Sequence, residues 1–333
     1  MAHRPPDRLL GRRLMVTGGA GFIGSHLVDA ISGLEPECLV VADNFFLGRE
    51  SNLAAASAAY PSLIVAKVDV ADAAEIGDLV AEYRPEVVFD LATVPLPYSL
   101  EHPAATIDQN VRMATNLAEL ARRDAFGSLI HFSTSEVYGT ARQIPMDEDH
   151  PIQPLTPYAA SKAAADHIVR SYQATFAIDA TIVRPFNNYG PRQNEGSYAA
   201  LIPKVIRQVL GGEPVEIYGD GTQTRDFIHV RDTVRGTLAL WAEEGTRGSV
   251  VNLASGHETQ VKDIVNTIVD VLGQAADVRY ADTRPGDVMR HCGSSQRARD
   301  LFGFSPEVNL RQGLAETVAW YGGQIALDGE PDD

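Results

Sequence analysis

The apolar run Leu14-Met15-Val16 opens directly into Thr17-Gly18-Gly19-Ala20-Gly21-Phe22-Ile23-Gly24, and this junction restricts the fold more than any other stretch. Glycines at 18, 21 and 24 permit a tight strand-to-helix turn, backbone approach to a ligand and close packing of helix on sheet. The start of the helix then offers unpaired N–H groups and the positive end of its dipole to an anion such as a pyrophosphate. A second run, Leu39-Val40-Val41, ends in Ala42-Asp43-Asn44, with Asp43 nineteen residues after Gly24. A carboxylate at that strand end is placed to hydrogen-bond the ribose hydroxyls of an adenine dinucleotide and to repel a 2′-phosphate, so the expected cofactor is NAD. Arg49, six residues further on, is a cation of the kind that would suit a 2′-phosphate instead.

Further apolar runs at Leu63-Ile64-Val65, Val87-Val88-Phe89, Leu129-Ile130-His131-Phe132 and Ala180-Thr181-Ile182-Val183 alternate with helical stretches. Apolar strands separated by helices predict an α/β fold, a Rossmann-type doubly wound parallel sheet covered on both faces. After Asn187 the texture changes, with Gly190-Pro191, Gly211-Gly212, Gly219-Asp220-Gly221 and Arg284-Pro285-Gly286-Asp287 punctuating shorter elements. That punctuation predicts a smaller C-terminal α/β substrate-binding domain. Asp232 to Glu244 reads as an amphipathic helix and Val250 to Leu253 as a strand that returns to the main sheet. The expected division is residues 1–188 plus about 225–257 for the NAD-binding domain, about 189–224 and 258–327 for the substrate domain, and 328–333 as an acidic, disordered tail.

Composition narrows the partners. The 333 residues carry 28 Lys plus Arg against 44 Asp plus Glu, a net charge of -16 that disfavours nucleic acid and anionic membranes. A small anion can still bind where arginines and helix N-termini set the local field. Cys38 and Cys292 are the two cysteines, too few for a disulfide framework, and no metal is expected. Residues 1–13 lack the apolar stretch of a signal segment and no run approaches a membrane span, so a cytoplasmic location is expected.

Two strand ends add to the cofactor site: Asp69-Val70 to meet the adenine and Leu91-Ala92-Thr93 to line the crevice. A strand-end Asp is equally a common helix cap. Tyr158 and Lys162 stand four residues apart after Pro157, hence on one face of a helix. An ammonium and a nicotinamide cation beside a phenol favour phenolate, which makes Tyr158 a candidate base. Upstream, Phe132-Ser133-Thr134-Ser135-Glu136-Val137-Tyr138-Gly139 gathers polar side chains at the C-terminal end of a parallel strand, where an α/β active site sits. Thr134 can hydrogen-bond a hydroxyl being oxidised, and Glu136 supplies the carboxylate of the cluster.

These segments, with Arg184-Pro185-Phe186-Asn187, occur in the order of the extended short-chain dehydrogenases/reductases, and the chain resembles that family's nucleotide-sugar branch over nearly its whole length. The stretch from Val215 to Val230 and Arg284-Pro285-Gly286-Asp287 look like the branch's nucleotide-sugar-binding region. The resemblance implies cofactor contacts from Gly18, Gly21, Phe22, Ile23, Gly24, Asp43, Asn44, Asp69, Val70, Leu91, Ala92, Thr93, Tyr158, Lys162 and Pro185. It implies catalytic roles for Thr134, Ser135, Glu136, Tyr158 and Lys162. On the substrate side it implies Asn187 and Arg225 on a diphosphate, Tyr218 against the base, and Pro95 and Tyr98 in a loop beside the sugar. A homodimer through helices beginning near Asp108 and Tyr158 is implied by resemblance alone.

Members of the branch oxidise C4 of the sugar and differ in what the ketone then permits. The segment Thr134-Ser135-Glu136 resembles UDP-glucuronate decarboxylases, also called UDP-xylose synthases, and decarboxylation of UDP-glucuronate to UDP-xylose or its 4-keto form is the expected reaction, with Arg290, or else His291 beside it, as the partner of the sugar carboxylate. A 4,6-dehydratase is the first alternative: Ser135 replaces the usual Asp of an acid–base pair, and Glu136 would serve both steps in turn. A 4-epimerase, which needs no carboxylate, is the second alternative. An NAD-binding scaffold without catalysis is a third, against which the chain keeps both Tyr158 and Lys162.

Overall fold

The computed structural model describes residues 9–196, 198–283 and 288–328; the segment Arg284-Pro285-Gly286-Asp287 and most of the acidic tail lie outside them. Strands are Arg13–Thr17 (β1), Cys38–Asp43 (β2), Ile64–Lys67 (β3), Val87–Asp90 (β4), Ser128–Phe132 (β5), Ala180–Pro185 (β6), Asn187–Tyr189 (β7), Val215–Tyr218 (β8), Thr224–Arg225 (β9), Phe227–His229 (β10), Val250–Leu253 (β11), Thr259–Gln260 (β12) and Val278–Ala281 (β13). Helices are Phe22–Ser32 (α1), Ala54–Ala59 (α2), Ala73–Tyr83 (α3), Leu96–Glu101 (α4), Pro103–Arg122 (α5), Pro157–Phe176 (α6), Leu201–Leu210 (α7), Val230–Ala242 (α8), Val261–Leu272 (α9), Gln296–Phe302 (α10) and Leu310–Asp328 (α11). Among the described residues, no helix is long and apolar enough to cross a membrane.

Seven strands form one sheet in the order β11-β6-β5-β4-β1-β2-β3, every pairing parallel. Continuous apolar runs are what such a sheet needs, because alternate side chains enter two different cores. Leu14, Val16, Leu39 and Val41 join the core under α1 and α8, while Met15, Val40 and Ala42 join the core under α3 and α5. Each buried side chain of this size contributes roughly 1.5–3 kcal/mol. The order in which the chain adds strands reverses between β1 and β4, and that switch point opens a crevice at the strands' C-terminal ends.

The expected return to the main sheet occurs: β11 pairs with β6. The remaining strands make short pairs, β7 with β10, β9 with β12 and β8 with β13. A third core lies here, where Ile202, Val205, Ile206 and Val209 form one apolar stripe of α7 against Ile264, Val265 and Ile268 of α9 and Ile217 of β8. The helix expected near Asp108 begins earlier, at Pro103, whose ring suits the first turn of a helix.

Candidate active site

A cleft of about 690 Å³ opens at the switch point, between the main sheet and the third core. Its floor is the glycine turn. Gly18 has φ +62°, and a Cβ there would lie 2.7 Å from the Leu91 carbonyl oxygen; one on Gly24 would lie 2.2 Å from the Gly18 oxygen. Helix α1 starts from Gly21 with no side-chain cap and no acidic residue in its first turn, so its leading N–H groups remain open to an anion in the cleft. Thr17 Oγ1 accepts from the Leu91 and Ala92 amides, both at 3.2 Å, and thereby fixes the Leu91-Ala92-Thr93 wall against the turn.

Asp43 is buried and accepts from the Ala20 amide at 2.9 Å and the Phe45 amide at 2.8 Å. Burial raises its pKa from the ordinary carboxylate value while these two bonds oppose the shift. Arg49 pairs with Glu195 at 2.9 Å. Asp69 is no helix cap: it accepts from Ala71 at 2.9 Å, and the cap of α3 is Asp72. Phe22, Ile23, Asn44, Asp69, Val70, Thr93 and Pro185 all line the cleft with the residues above. Glycines with no room for a side chain, an uncapped helix start and a strand-end carboxylate fit an adenine dinucleotide.

Tyr158 and Lys162 enter from α6. Thr156 caps this helix by accepting from Ala159 at 3.1 Å, Pro157 occupies the first turn, and Tyr158, Lys162 and Asp166 share one face. Burial pushes the Tyr158 phenol up to about 12, the Glu136 charge adds to this, and hydrogen bonds with Thr134 and Thr93 pull it back. The net direction is opposite to that expected from a neighbouring ammonium. Lys162 itself is buried; desolvation lowers its pKa against the pull of Asp90 and Asp166.

Thr134 caps the short helical turn Ser135–Tyr138, accepting from the Glu136 amide at 3.2 Å and so presenting Ser135 and Glu136 at the cleft. His291 supports this turn from behind: its Nε2 lies 3.2 Å from the Ser135 carbonyl oxygen and its ring packs on Phe186. Burial lowers the His291 pKa to about 3. Ser133 Oγ and Asn187 Nδ2 are buried beside the cleft without a hydrogen-bond partner, two polar atoms available to a ligand.

Pro95, Tyr98, Asn187, Tyr218 and Arg225 line the same cleft, and Lys204 Nζ lies 5.7 Å from the Tyr218 ring centre. Arg290 is not brought there. Its guanidinium is exposed and held by Glu258, Nη2 to Oε2 at 2.6 Å and Nε to Oε1 at 3.1 Å, while Thr224 donates to the same carboxylate. Reasoning from sequence misses Arg192, Lys204, Phe46 and Tyr198, which also line the cleft. Lys204 carries no signal of its own in sequence, since the Leu201–Leu210 helix also holds Arg207 and Gln208. It also misses Asn110 of α5, which bonds Val94 in both directions and donates to Ser161 Oγ at 2.9 Å, tying the cleft loop to α6 beside Lys162. No local pattern marks Asn110.

Residues 14–254 match the model of the NAD dependent epimerase/dehydratase family. The chain is 34% identical to a UDP-glucose 4-epimerase of Mycolicibacterium smegmatis, over 93% of this chain and 98% of that protein. It is 35% identical to a dTDP-glucose 4,6-dehydratase of Streptomyces griseus, over 92% of this chain and 93% of that protein. Among solved structures, dTDP-glucose 4,6-dehydratase from Streptomyces venezuelae with NAD bound superposes with a TM-score of 0.88 at 32% identity, covering 95% of this chain and 98% of that one. The chain therefore belongs to the NAD dependent epimerase/dehydratase family, and NAD is its cofactor.

Proposed function

We propose that this protein oxidises C4 of a nucleotide-linked sugar and then removes water across C5 and C6, as a 4,6-dehydratase. The observation that carries this reading is Glu136, a carboxylate facing the cleft close enough to Tyr158 to act on its charge. Tyr158 takes the 4-hydroxyl proton, Thr134 orients that hydroxyl, and Lys162 supplies positive charge on the same helix face. Bound NAD supplies the hydride acceptor at C4. The resulting ketone acidifies the C5 proton. Glu136 accepts that proton and delivers it to the departing 6-hydroxyl, so one carboxylate balances both steps and Ser135 serves as a hydrogen-bond donor. With the hydride returned to C6, C5 regains a proton, equivalent to the one Tyr158 took from the 4-hydroxyl and now gives up, so the net change is loss of one water.

Ser135 in place of a second carboxylate favours a second reading, a 4-epimerase, in which the ketone turns over and the hydride returns to C4. Decarboxylation of UDP-glucuronate, the expectation from the Thr134-Ser135-Glu136 segment, has less support: Arg290, proposed to meet the sugar carboxylate, is held by Glu258 outside the cleft lining. Relatives with epimerase and dehydratase names point the same way.

In this reading Asn187 and Arg225, joined by Arg192 and Lys204, receive the diphosphate, Tyr218 packs on the base, and Pro95 and Tyr98 face the sugar. The parts spanning about 189–224 and 258–327 form the substrate domain over the NAD-binding domain. A homodimer through α5 and α6 completes the proposal, supported by exposed Ile107 and Phe176 on those helices.

Mass spectrometry of protein incubated with dTDP-glucose, UDP-glucose, UDP-N-acetylglucosamine and UDP-glucuronate, each with and without NAD, tests the reading. Loss of water from a neutral sugar is expected. An unchanged mass with a new C4 epimer would replace it by the epimerase, and loss of carbon dioxide by the decarboxylase.

A further inference from the structure

Beneath Lys162 a row of buried polar side chains crosses the sheet at the level of its C-terminal ends. Thr17 of β1 donates to Asp90 Oδ1 of β4 at 2.8 Å, and Asp90 Oδ2 accepts from His131 Nδ1 of β5 at 2.7 Å. On the far side, Arg184 Nε of β6 donates to Asp166 Oδ2 of α6 at 2.9 Å, Arg184 Nη1 donates to Tyr138 at 2.9 Å, and Tyr138 donates to Asn252 of β11 at 2.8 Å. The halves meet where His131 Nε2 and Asp166 Oδ1, both without a hydrogen-bond partner, face each other at 4.0 Å. Neither Asp90 nor His131 lines the cleft, and every member of the row is buried.

Stability alone gives little reason for such a row, because ionised groups taken out of water are costly and apolar replacements of the same volume are often as stable. Its placement is informative. Asp166 follows Lys162 by four residues on the same face of α6, and Asp90 acts on Lys162 from the sheet. Around the base pair stand Asp90 from β4, His131 from β5, Arg184 from β6, Asp166 from α6 and Glu136 from the turn after β5, while α5 contributes the neutral Asn110 through Ser161. Two carboxylates, Asp90 and Asp166, thus offset the cations Lys162 and Arg184.

We propose that Asp90 and Asp166, with His131 between them, are positioning residues for Lys162: they keep its ammonium charged on the Tyr158 face despite burial. The inference rests on the reading of Tyr158 and Lys162 as the base assembly, and it assigns that assembly's charge state to residues behind the cleft. Removing either carboxylate lowers the pH at which Lys162 gives up its proton. Desolvation, which already disfavours the charged form, is then opposed by one partner instead of two.

The chain contains four lysines, Lys67, Lys162, Lys204 and Lys262, so the full-length protein labelled with lysine carrying carbon-13 at Cε gives four side-chain signals to titrate. Lys162→Arg identifies the Lys162 signal. In Asp90→Asn the Lys162 midpoint is expected to fall by about one pH unit or more, with the other three unmoved and Asp90→Glu restoring the original value. Asp166→Asn is the second variant, read in the same way if Asp90→Asn does not fold. An unmoved Lys162 midpoint in a folded Asp variant overturns the proposal. Turnover of Tyr158→Phe separates the two layers: full activity there sinks the base assignment itself, whatever the titration shows.

Discussion

One wall of the cleft rises from the ends of β1, β2 and β4, where backbone carries the function: a glycine turn, open helix N–H groups and a single carboxylate at Asp43. The opposite wall is assembled from α7, β8 and β9, whose side chains, Lys204, Tyr218 and Arg225, do the facing. Backbone sites tolerate almost no change because the ligand and the chain compete for the same space. Side-chain sites can exchange one group for another without moving the chain. The Ser135–Tyr138 turn and α6 lie between the walls and combine both habits.

Both walls serve the residues that stand between them, and the largest effect is expected there. Tyr158→Phe is expected to lower kcat by about 10²- to 10⁴-fold while leaving the melting temperature and NAD affinity nearly unchanged; retained turnover would leave the middle without its base. A smaller but more structural effect is expected at the cofactor wall. Gly24→Ala places a methyl 2.2 Å from the Gly18 oxygen, so the turn must open, at a cost of about 1–3 kcal/mol in thermal or denaturant unfolding and with weaker NAD binding by calorimetry. Wild-type affinity in that variant would mean the turn has slack that the packing does not show. The least effect is expected outside both walls: Arg290→Ala breaks an exposed pair with Glu258 and should change kcat and KM by no more than about twofold. A large loss with UDP-glucuronate alone would return Arg290 to the sugar and revive the decarboxylase.

Legibility followed the same divide. The glycine spacing, the distance to Asp43 and the runs of apolar strand are local signals, and the seven-stranded sheet places those residues around the cleft. Tyr158 and Lys162 were readable because four residues on a helix make one face. Arg290 misled, since a loop arginine has no periodicity to say which way it points, and its carboxylate partner stands 32 residues away in sequence. Asn110 and the Asp90–His131 pair were invisible for a related reason. Their meaning comes from contacts spanning 51 and 41 residues that only the folded sheet creates. His131 even reads as a blemish in an apolar strand until Asp90 is seen opposite it in register.

In the proposed reaction C4 is oxidised and Glu136 directs the ketone toward loss of water. That course is tested most directly by turning over dTDP-glucose carrying deuterium at C4, or UDP-glucose so labelled if that is the sugar consumed, and locating the label in the product by NMR. The account predicts a slowed reaction and deuterium at C6 of a 4-keto-6-deoxy sugar. Deuterium returned to C4 with inverted configuration would keep the C4 oxidation and contradict the dehydration; product formed at an unchanged rate, with the label never leaving C4, would contradict the account as a whole.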